Sequence, residues 1–441
     1  MKTKLTFLIC ILFWQFYAAA QWQKVDLNLS GGGTIDKNMN QMVTENGKLY
    51  VATSNGVYMS PSTNGGDWEP FGLQGKRVFL MSFAVLKLAL VVEPASDDVT
   101  KNTLQLYKHN GTNWVNTKFN ESKLNAFGNY LENLTNFAQI QDGNKTVIVI
   151  PTWGNGIWRS PDNGETWTST QYVTCETCPT NTNVHYKKLP AIFSFPSDNT
   201  LYGTDKPDYA MQYLIYSTNF GASWNSKQVG NFFNPWSMHK RTMGGTPYLY
   251  FGGEGGSAGA VWRSGDAGQN WDASFAMGAT YWDNRRIIGE NDGPLYIMCS
   301  ANNVYVSNDN GDTFLPVGTG IVFPSTIPKP AGPPYFLSSL VKSGTKLFVA
   351  TSNDGMYSFN LNPSGIREAK FESAFTIGLR EISLLNNDIK RCEIISVNGV
   401  KIEKMDVTEG KIAIDNLKPS MYILRAYTEN GQVISGKFVK Y

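Results

Sequence analysis

Charged residues are scarce in this sequence. Asp, Glu, Lys and Arg together make up 17% of the 441 residues. The two surplus positive charges are Lys2 and Lys4, so the rest of the chain is electrically balanced. Because phosphate binding is driven by an excess of Lys and Arg, this balance argues against nucleic acid as the main partner. A local basic patch remains compatible with it.

Long hydrophobic runs are also missing, except at the N-terminus. Residues 1–20 consist of two lysines, an apolar run from Leu5 to Tyr17, and three alanines. This is the layout of a secretory signal peptide, and it predicts cleavage before Gln21. The alternative is a membrane anchor, but the run is shorter than the roughly 18 apolar residues that span a bilayer. We therefore expect a mature chain without a transmembrane segment.

Cysteine is scarce, and most of the cysteines are isolated. Cys175 and Cys178 form a C-x-x-C in a polar stretch. Zinc would need two more ligands, and His185 is the one nearby candidate. Calcium at the acidic stretch 308–312 would need the EF-hand spacing and its closing Glu, which are absent. We predict a local disulfide between Cys175 and Cys178, no metal and no cofactor.

Aromatic residues and glycine, by contrast, are plentiful. The hydrophobic fraction is 41%, aromatics reach 13% and there are 42 glycines. This hydrophobic content is enough for a large core and excludes general disorder. Many aromatics and glycines with few charges favour an all-β protein of short strands and tight turns.

One pattern recurs through most of the chain. An apolar strand and a loop are followed by a strand ending in an aromatic residue and Ser, then a polar turn and Trp. The clearest copy is IWRSPDNGETW at 157–167. The other copies end at Trp224, Trp271 and Phe314, with degenerate ones at Trp68 and Trp114. A period of about 50 residues with four strands per unit indicates the blades of a β-propeller.

The ends of the repeat region indicate how the ring closes. Residues 346–360 nearly repeat 48–60, but no final strand with Trp follows them. The segment WQKV at 22–25 resembles FLPV at 314–317, which ends the preceding unit. We therefore predict a seven-bladed propeller over residues 21–362, with the N-terminal strand completing the last blade. The alternative is that Trp22 begins a loose arm.

The motif S-x-D-x-G-x-T-W at 160–167 resembles the Asp-box, or BNR repeat, of sialidases, sortilin-like receptors and xyloglucanase-type glycosidases. Its chemistry is structural. Asp162 can fold back on its own turn amides, Gly164 supplies a positive φ, and Trp167 packs between blades. The matching structural positions are Trp224, Asp266, Trp271, Asp309 and Phe314.

The last 67 or so residues form a separate module after a linker at 363–374. The strings IISVNGVKIEK (394–404) and IAIDNLKPSMYILRAY (412–427) resemble the C-terminal sorting domain of the type IX secretion system of Bacteroidota. The resemblance implies that 375–441 is a small β-sandwich that engages the secretion machinery. It also implies release or attachment at the outer cell surface. Ser420 departs from the Gly usual in that family, and an accessory carbohydrate-binding sandwich is the alternative.

The resemblance to Asp-box propellers also indicates where a ligand would bind. Sites in that family lie opposite the boxes, at the loops between second and third strands and at the connections between blades, which here include 168–185. Aromatic rings with neighbouring polar groups at such a face suit a glycan. Packing of loops onto blades is the alternative role for the aromatics. The candidate ligand-binding residues are Trp153, Asn155, Trp236, Glu254, Trp282, Asp283 and Arg285.

Basic doublets precede or enter the first strands of four units, and we expect them near the channel mouth on the ligand face. Converging cations would favour a carboxylate, sulfate or phosphate, although ordinary solvated strand ends are the alternative. The doublets are Lys76–Arg77, Lys187–Lys188, Lys240–Arg241 and Arg285–Arg286.

Enzyme or binder is the remaining question. The Phe-Arg-Ile-Pro strand of sialidases is absent, and no arginine triad can be assigned. Xyloglucanase-type hydrolysis needs two carboxylates across a cleft. Our first hypothesis is a secreted or cell-surface propeller that binds a glycan or a surface protein, and the alternative is a glycoside hydrolase. The carboxylates that qualify by location are Asp205, Asp208, Glu254 and Asp283.

Overall fold

All regular structure in the described part of this computed structural model is β-strand, which confirms the predicted all-β class. The chain divides into two compact units, Met1–Asn360 and Leu361–Tyr441. The residues described are 22–93, 103–121, 134–152, 156–170, 172–175, 183–185, 189–195, 199–205, 212–230, 233–255, 258–276, 284–299, 304–318, 321, 337–361, 375–377, 381–384, 389–396, 401–406, 410–418, 420–428 and 433–440.

Seven sheets make up the described part of the first unit, all antiparallel except for one parallel strand pair, and each is called a blade here. Blades 1 to 3 are β2–β5, β6–β9 and β10–β13. The strands up to this point are β1 (Gln23–Lys24), β2 (Met39–Glu45), β3 (Lys48–Thr53), β4 (Gly56–Ser60), β5 (Glu69–Gly72), β6 (Arg77–Ser82), β7 (Leu88–Glu93), β8 (Thr103–His109), β9 (Trp114–Glu121), β10 (Ala138–Asp142), β11 (Lys145–Pro151), β12 (Ile157–Ser160) and β13 (Thr168–Thr170).

Blades 4 to 7 continue the series, built on β16–β19, β20–β23, β24–β27 and β28–β30. Their strands are β14 (Tyr172–Cys175), β15 (Asn183–His185), β16 (Ile192–Phe195), β17 (Thr200–Asp205), β18 (Gln212–Ser217), β19 (Asn225–Gly230), β20 (Phe233–Met243), β21 (Thr246–Gly255), β22 (Ala258–Ser264), β23 (Asp272–Ala276), β24 (Asn284–Gly289), β25 (Leu295–Cys299), β26 (Val304–Ser307), β27 (Leu315–Pro316), β28 (Leu337–Ser343), β29 (Lys346–Thr351) and β30 (Met356–Asn360).

The apolar core lies between neighbouring blades. Second strands such as β7 (LALVVE) and β11 (KTVIVIP) are continuous apolar runs, because both faces of the blade are covered. Shared clusters join blades 1 and 2, 2 and 3, 3 and 4, 4 and 5, 5 and 6, and 7 and 1. First strands contact each other between blades 1 and 2, 3 and 4, 5 and 6, 6 and 7, and 7 and 1. The blades therefore form a closed seven-bladed propeller.

The N-terminal strand closes the ring, as predicted. β1 pairs antiparallel with β30 as the outer strand of blade 7. The Trp22 indole, 8% exposed, donates its Nε1–H to the Val317 carbonyl of blade 6 at 3.0 Å. Lys24 Nζ lies 2.5 Å from Oδ1 of the buried Asp354. The alternative of a loose arm is therefore wrong, because Trp22 is bonded to blade 6 and β1 is paired within blade 7.

Blade 4 has an addition that the sequence pattern did not predict. The stretch taken as an irregular connection at 168–185 contains β13 and the hairpin β14–β15. β14 pairs in parallel with β19, so the hairpin extends the outer edge of blade 4. The two cysteines of the predicted disulfide lie in this region. Cys175 is the last residue of β14, and Cys178 lies outside the described residues. The hairpin makes β15, rather than β19, the outer edge strand of this sheet.

The second unit contains two sheets, ordered β31–β32–β35 and β34–β33–β36–β37. Both contribute to one apolar cluster, with Ile382 and Ile412 from the first and Ile394, Leu424 and Phe438 from the second. The strands are β31 (Phe375–Ile377), β32 (Glu381–Leu384), β33 (Ile389–Ser396), β34 (Lys401–Asp406), β35 (Lys411–Ala413), β36 (Ser420–Thr428) and β37 (Val433–Lys440).

Candidate functional site

The two faces of the propeller carry different kinds of segment. Turns between third and fourth strands lie on the same face as those between first and second strands, because the strands alternate in direction. We call this the box face. The opposite face, the connection face, carries the second-to-third-strand loops and the segments that lead from one blade to the next.

On the box face, the turn between the third and fourth strands of blade 3 is held together by hydrogen bonds from its own side chains. Ser160 Oγ donates to Asp162 Oδ1 at 2.9 Å and accepts the Gly164 amide at 2.9 Å. Asp162 Oδ1 accepts the Thr166 amide at 2.9 Å, and Oδ2 accepts the Thr166 hydroxyl at 2.6 Å. Burial alone would raise the pKa of Asp162, but these hydrogen bonds outweigh it and hold the pKa below its ordinary value. Trp167 packs on Phe119 of blade 2.

Blades 4, 5 and 6 repeat this geometry, and we call the four turns the box turns. Asn219 takes the carboxylate place in blade 4, where its Oδ1 accepts the Ser223 amide at 2.9 Å. In blade 5 the Asn270 amide, and next the Ser264 hydroxyl, lower the pKa of Asp266 to about 2. Asp309 accepts the Thr313 amide at 2.9 Å in blade 6. Because their oxygens are occupied within the turn, these groups stabilise it.

A basic side chain of the preceding blade binds each box turn, a feature that sequence reasoning missed. Lys108 Nζ donates to the Asn163 carbonyl at 3.0 Å, and Arg159 Nε to the Phe220 carbonyl at 2.7 Å. Corresponding bonds run from Lys227 to Gln269 O at 3.0 Å and from Arg263 to Asn310 O at 2.8 Å. We call these contacts the basic clamps. The signal available in the sequence was Arg directly before the motif Ser in blades 3 and 5.

On the connection face, β-bulges mark the innermost strands. Five of these strands, β2, β6, β20, β24 and β28, shift register close to their first residue. A bulge leaves one residue outside the ladder and redirects its side chain, which is why bulges are frequent beside binding sites. The bulged residues are Asn40, Phe79, Trp236, Arg285 and Ser338, with Asn234 as a second one in β20.

Three of the predicted ligand-binding residues lie at this end of blades 5 and 6. Trp236 and Arg285 both occupy bulges, and Glu254 stands opposite Phe233 in the β20–β21 ladder. The indole of Trp236 is 6% exposed, so it is packed. Its carbonyl accepts the hydroxyl of Thr135 at 2.6 Å, so the segment that leads into blade 3 is bonded to blade 5. Trp153, Asn155, Trp282 and Asp283 lie outside the described residues.

Polar side chains join the innermost strands of neighbouring blades. Asn40 Nδ2 donates to the Val78 carbonyl at 2.7 Å, and Gln139 Nε2 donates to the Ser82 carbonyl at 2.8 Å. Asn136 Nδ2 donates to the Ile192 carbonyl at 2.8 Å. The sequence signal for these bonds is a polar residue in an otherwise apolar first strand.

The basic doublet Lys240–Arg241 was predicted on the connection face but lies on the box face, so this prediction is wrong. Arg241, 3% exposed, donates to the Tyr250 hydroxyl at 3.1 Å, to the Gly293 carbonyl at 2.6 Å and to Oδ1 of Asn310, in a box turn, at 3.3 Å. Because β20 is long, Lys240–Arg241 falls near its far end, on the box face. Burial, and next the charge of Arg241, lower the pKa of the neighbouring His239 to about 4.

The other doublets are distributed as follows. Lys76, on the connection face, lies 2.5 Å from Glu93 Oε1, and this hydrogen bond raises the pKa of Lys76. Arg77 is the first residue of β6 and Arg286 is the third residue of β24, and Lys187–Lys188 lie outside the described residues.

The described residues contain no cluster of three or more His, Cys, Asp or Glu that could hold a metal ion. Among the carboxylates considered for hydrolysis, Asp205 ends β17, and Asp208 and Asp283 lie outside the described ranges. Cys299 and Cys392 are buried thiols, and burial raises the pKa of Cys392 to about 12. In the part of the chain that is described, no helix is long and apolar enough to cross a membrane.

Comparison with known proteins adds similar folds at low identity. The chain resembles a GH74 xyloglucanase from Xanthomonas campestris at 14% identity and a TM-score of 0.48, with 92% of this chain and 59% of that one covered. It resembles YCF48 from Cyanidioschyzon merolae at 11% identity and a TM-score of 0.48, with 78% of this chain and 98% of that one covered. It also resembles PorZ, a surface component of the type-IX secretion system of Porphyromonas gingivalis, at 11% identity and a TM-score of 0.32. Here 96% of this chain and 75% of that one are covered.

The chain thus spans about three fifths of the length of the xyloglucanase. A scan against protein-family models gives no match, and a search of curated proteins gives none at the threshold used. At these identities and TM-scores the similarities carry no statement about function. The assignment of a seven-bladed propeller therefore rests on the sheet topology of this chain.

Proposed function

We propose that this protein is a secreted or cell-surface propeller that binds an extracellular ligand, a glycan, on its connection face. The observation that carries the proposal is the difference between the two faces. Several turns on the box face have few residues between strands, and the box turns bind their own polar groups. The short first-to-second-strand turns include 46–47, 143–144, 244–245 and 344–345.

Long segments between strands belong to the connection face. Binding residues are commonly found on such segments when a rigid scaffold holds their ends. The bulges in five of the first strands leave six residues outside ladder pairing near the same face. The longest of these segments are 25–38, 94–102, 122–137 and 317–336.

Sugar rings fit the residue types we assign to this face. Their C–H faces stack on indole, and Trp153 and Trp282 are the proposed stacking residues. Asn155, Glu254 and Asp283 would bond hydroxyl groups, and Arg285 would bind an acidic substituent. Trp236 is assigned a packing role because its ring is buried.

A glycan array on the full mature chain tests this function, scored for binding and for released product. Retention of an intact glycan supports a binder, whereas product release would favour a glycoside hydrolase. The exposed Leu315 of β27, 63% accessible, offers a control substitution outside the proposed site. Leu315→Ala should leave the array pattern unchanged.

We further propose that residues 1–20 direct export across the inner membrane and that 375–441 engage the type IX secretion machinery. The support is the sequence resemblance of the C-terminal module. Deletion of 375–441 should leave a folded propeller in the periplasm, detected by cell fractionation. Normal arrival of the truncated chain at the cell surface would contradict this role.

A further inference from the structure

The larger sheet of the C-terminal unit has one face that its apolar core does not use. Cys392, Ile394, Leu424 and Ala426 point to the core that both sheets share. Residues alternate along a strand, so the intervening positions lie on the other face. That face, formed by β34, β33, β36 and β37, is called the outer sheet face here.

Basic residues outnumber acidic ones on the outer sheet face. Directly paired residues in an antiparallel ladder share a face. Glu393 pairs with Arg425 on one side and with Lys404 on the other. Ile395 pairs with Ile423, which in turn pairs with Lys437, and across a bulge Ile395 pairs with Lys401. Arg391 pairs with Asp406 in the row beyond Glu393.

Charged and aromatic groups cover the middle of this face. Glu393 is 4% exposed although it lies outside the apolar core, and Ile395 is 9% exposed. The Tyr427 hydroxyl donates to Glu393 Oε2 at 2.8 Å, and an Arg391 nitrogen lies 3.7 Å from Glu393 Oε1. The Arg391 guanidinium also lies over the Tyr427 ring at 4.2 Å.

One buried carboxylate therefore stands between two arginines. Arg391 Nε is buried and has no hydrogen-bond acceptor among the residues that the structure describes. The Arg391 side chain as a whole is 38% exposed, so part of its guanidinium group is open to an acidic partner. Arg and Tyr, which lie at the centre of this face, are also among the residue types enriched in protein–protein interfaces.

We propose that the outer sheet face docks an acidic surface of another protein. Carboxylates of the partner would face Arg391, Arg425 and the lysines around them, and aliphatic groups would cover the half-buried Ile423. An anionic lipid surface is the less favoured occupant, because it would not require an apolar centre flanked by planar guanidinium groups. This proposal does not depend on the ligand of the propeller.

Site-specific crosslinking in producing cells tests the proposal on the full chain. A photoreactive amino acid replaces Ile423, and the adduct is compared between the parent, R391E/R425E and the control K48E/K145E. Lys48 and Lys145 are exposed on the propeller, so the control changes net charge equally. We expect a discrete protein adduct that R391E/R425E lowers about tenfold or more and that the control leaves unchanged.

Two further measurements make the result decisive. Changing the crosslinked partner's acidic residues to Lys should restore the adduct with R391E/R425E. Removing both arginines alone would leave the buried Glu393 carboxylate without its basic neighbours, so Glu393→Gln is combined with their replacement. Equal melting curves of the parent and R391Q/E393Q/R425Q, with a reduced adduct in the latter, separate docking from folding. An adduct to lipid or polysaccharide, no adduct, or an equal adduct in R391E/R425E and the control would overturn the proposal.

Discussion

At the scale of single residues, the box turns require a left-handed conformation at two successive positions. Gly164 has φ 91° and Asn163, before it, has φ 61°. The same position is Asn310 in blade 6 but Phe220 and Ala267 in blades 4 and 5, each with φ 57°. Asn tolerates this region because its side chain bonds locally, whereas other L-residues are strained there.

Ala267→Asn should therefore stabilise the protein. Ala267 is exposed, so the substitution removes strain without losing packing. We expect the free energy of unfolding to rise by about 0.5–1 kcal/mol. Chemical denaturation measures it, with Ala267→Val as the control that should lower stability. A decrease for Ala267→Asn would contradict the strain argument.

The carboxylates of the box turns predict a dependence on acid. The pKa of Asp266 is about 2 in the folded protein, below its unfolded value, so its stabilising contribution is present above about pH 4. That contribution is lost as pH falls towards 2. Urea midpoints at pH 5, 3 and 2 should decline less steeply for Asp266→Asn than for the parent. Parallel declines would show that Asp266 does not contribute.

At the scale of elements, the basic clamps connect each box turn to the blade before it. Burial lowers the pKa of Arg159, yet its Nε–H bonds the Phe220 carbonyl at 2.7 Å, and so the turn of blade 4 is held by a side chain of blade 3. Hydrogen bonds to charged groups contribute more than neutral ones. The clamps therefore stabilise contacts between blades as well as single turns.

Arg159→Met tests a clamp while keeping the aliphatic part of the side chain. We expect a loss of about 1.5–3 kcal/mol in the free energy of unfolding, since the bond involves a charged donor. Lys145→Met, at an exposed position of the same blade, should change it by less than about 0.5 kcal/mol. Equal effects of the two substitutions in denaturation experiments would show that the clamp is energetically neutral.

At the scale of the whole molecule, stability depends on closing the ring. The first and last blades share a core that includes Met39 and Phe348, and β1 completes the last blade. Trp22→Ala removes a buried indole that bonds to blade 6, so we expect a loss of about 3–5 kcal/mol. Gln23→Ala, on the exposed side of the same strand, is the matched control. Similar melting temperatures for the two variants would contradict this closure.

The repeat could be predicted from the sequence because each blade has a recognisable pattern of its own. The closure could be predicted because WQKV at 22–25 resembles FLPV at 314–317. The position of Arg241 could not, since it depends on the length of β20. The β14–β15 hairpin could not be predicted either, because β14 pairs with β19, which lies about 50 residues later in the sequence. The bulges depend on the register between paired strands, and the basic clamps depend on contacts between neighbouring blades. Neither can be read from the sequence of a single repeat.

The central claim is that the connection face binds a glycan through Trp153 and Trp282. The most direct measurement is a calorimetric titration of the best array ligand into the parent chain, Trp153→Ala, Trp282→Ala and Leu315→Ala. We predict affinity about tenfold to a hundredfold weaker for each Trp variant, with melting temperatures unchanged, and no effect of Leu315→Ala. Unchanged affinity in both Trp variants would contradict the claim.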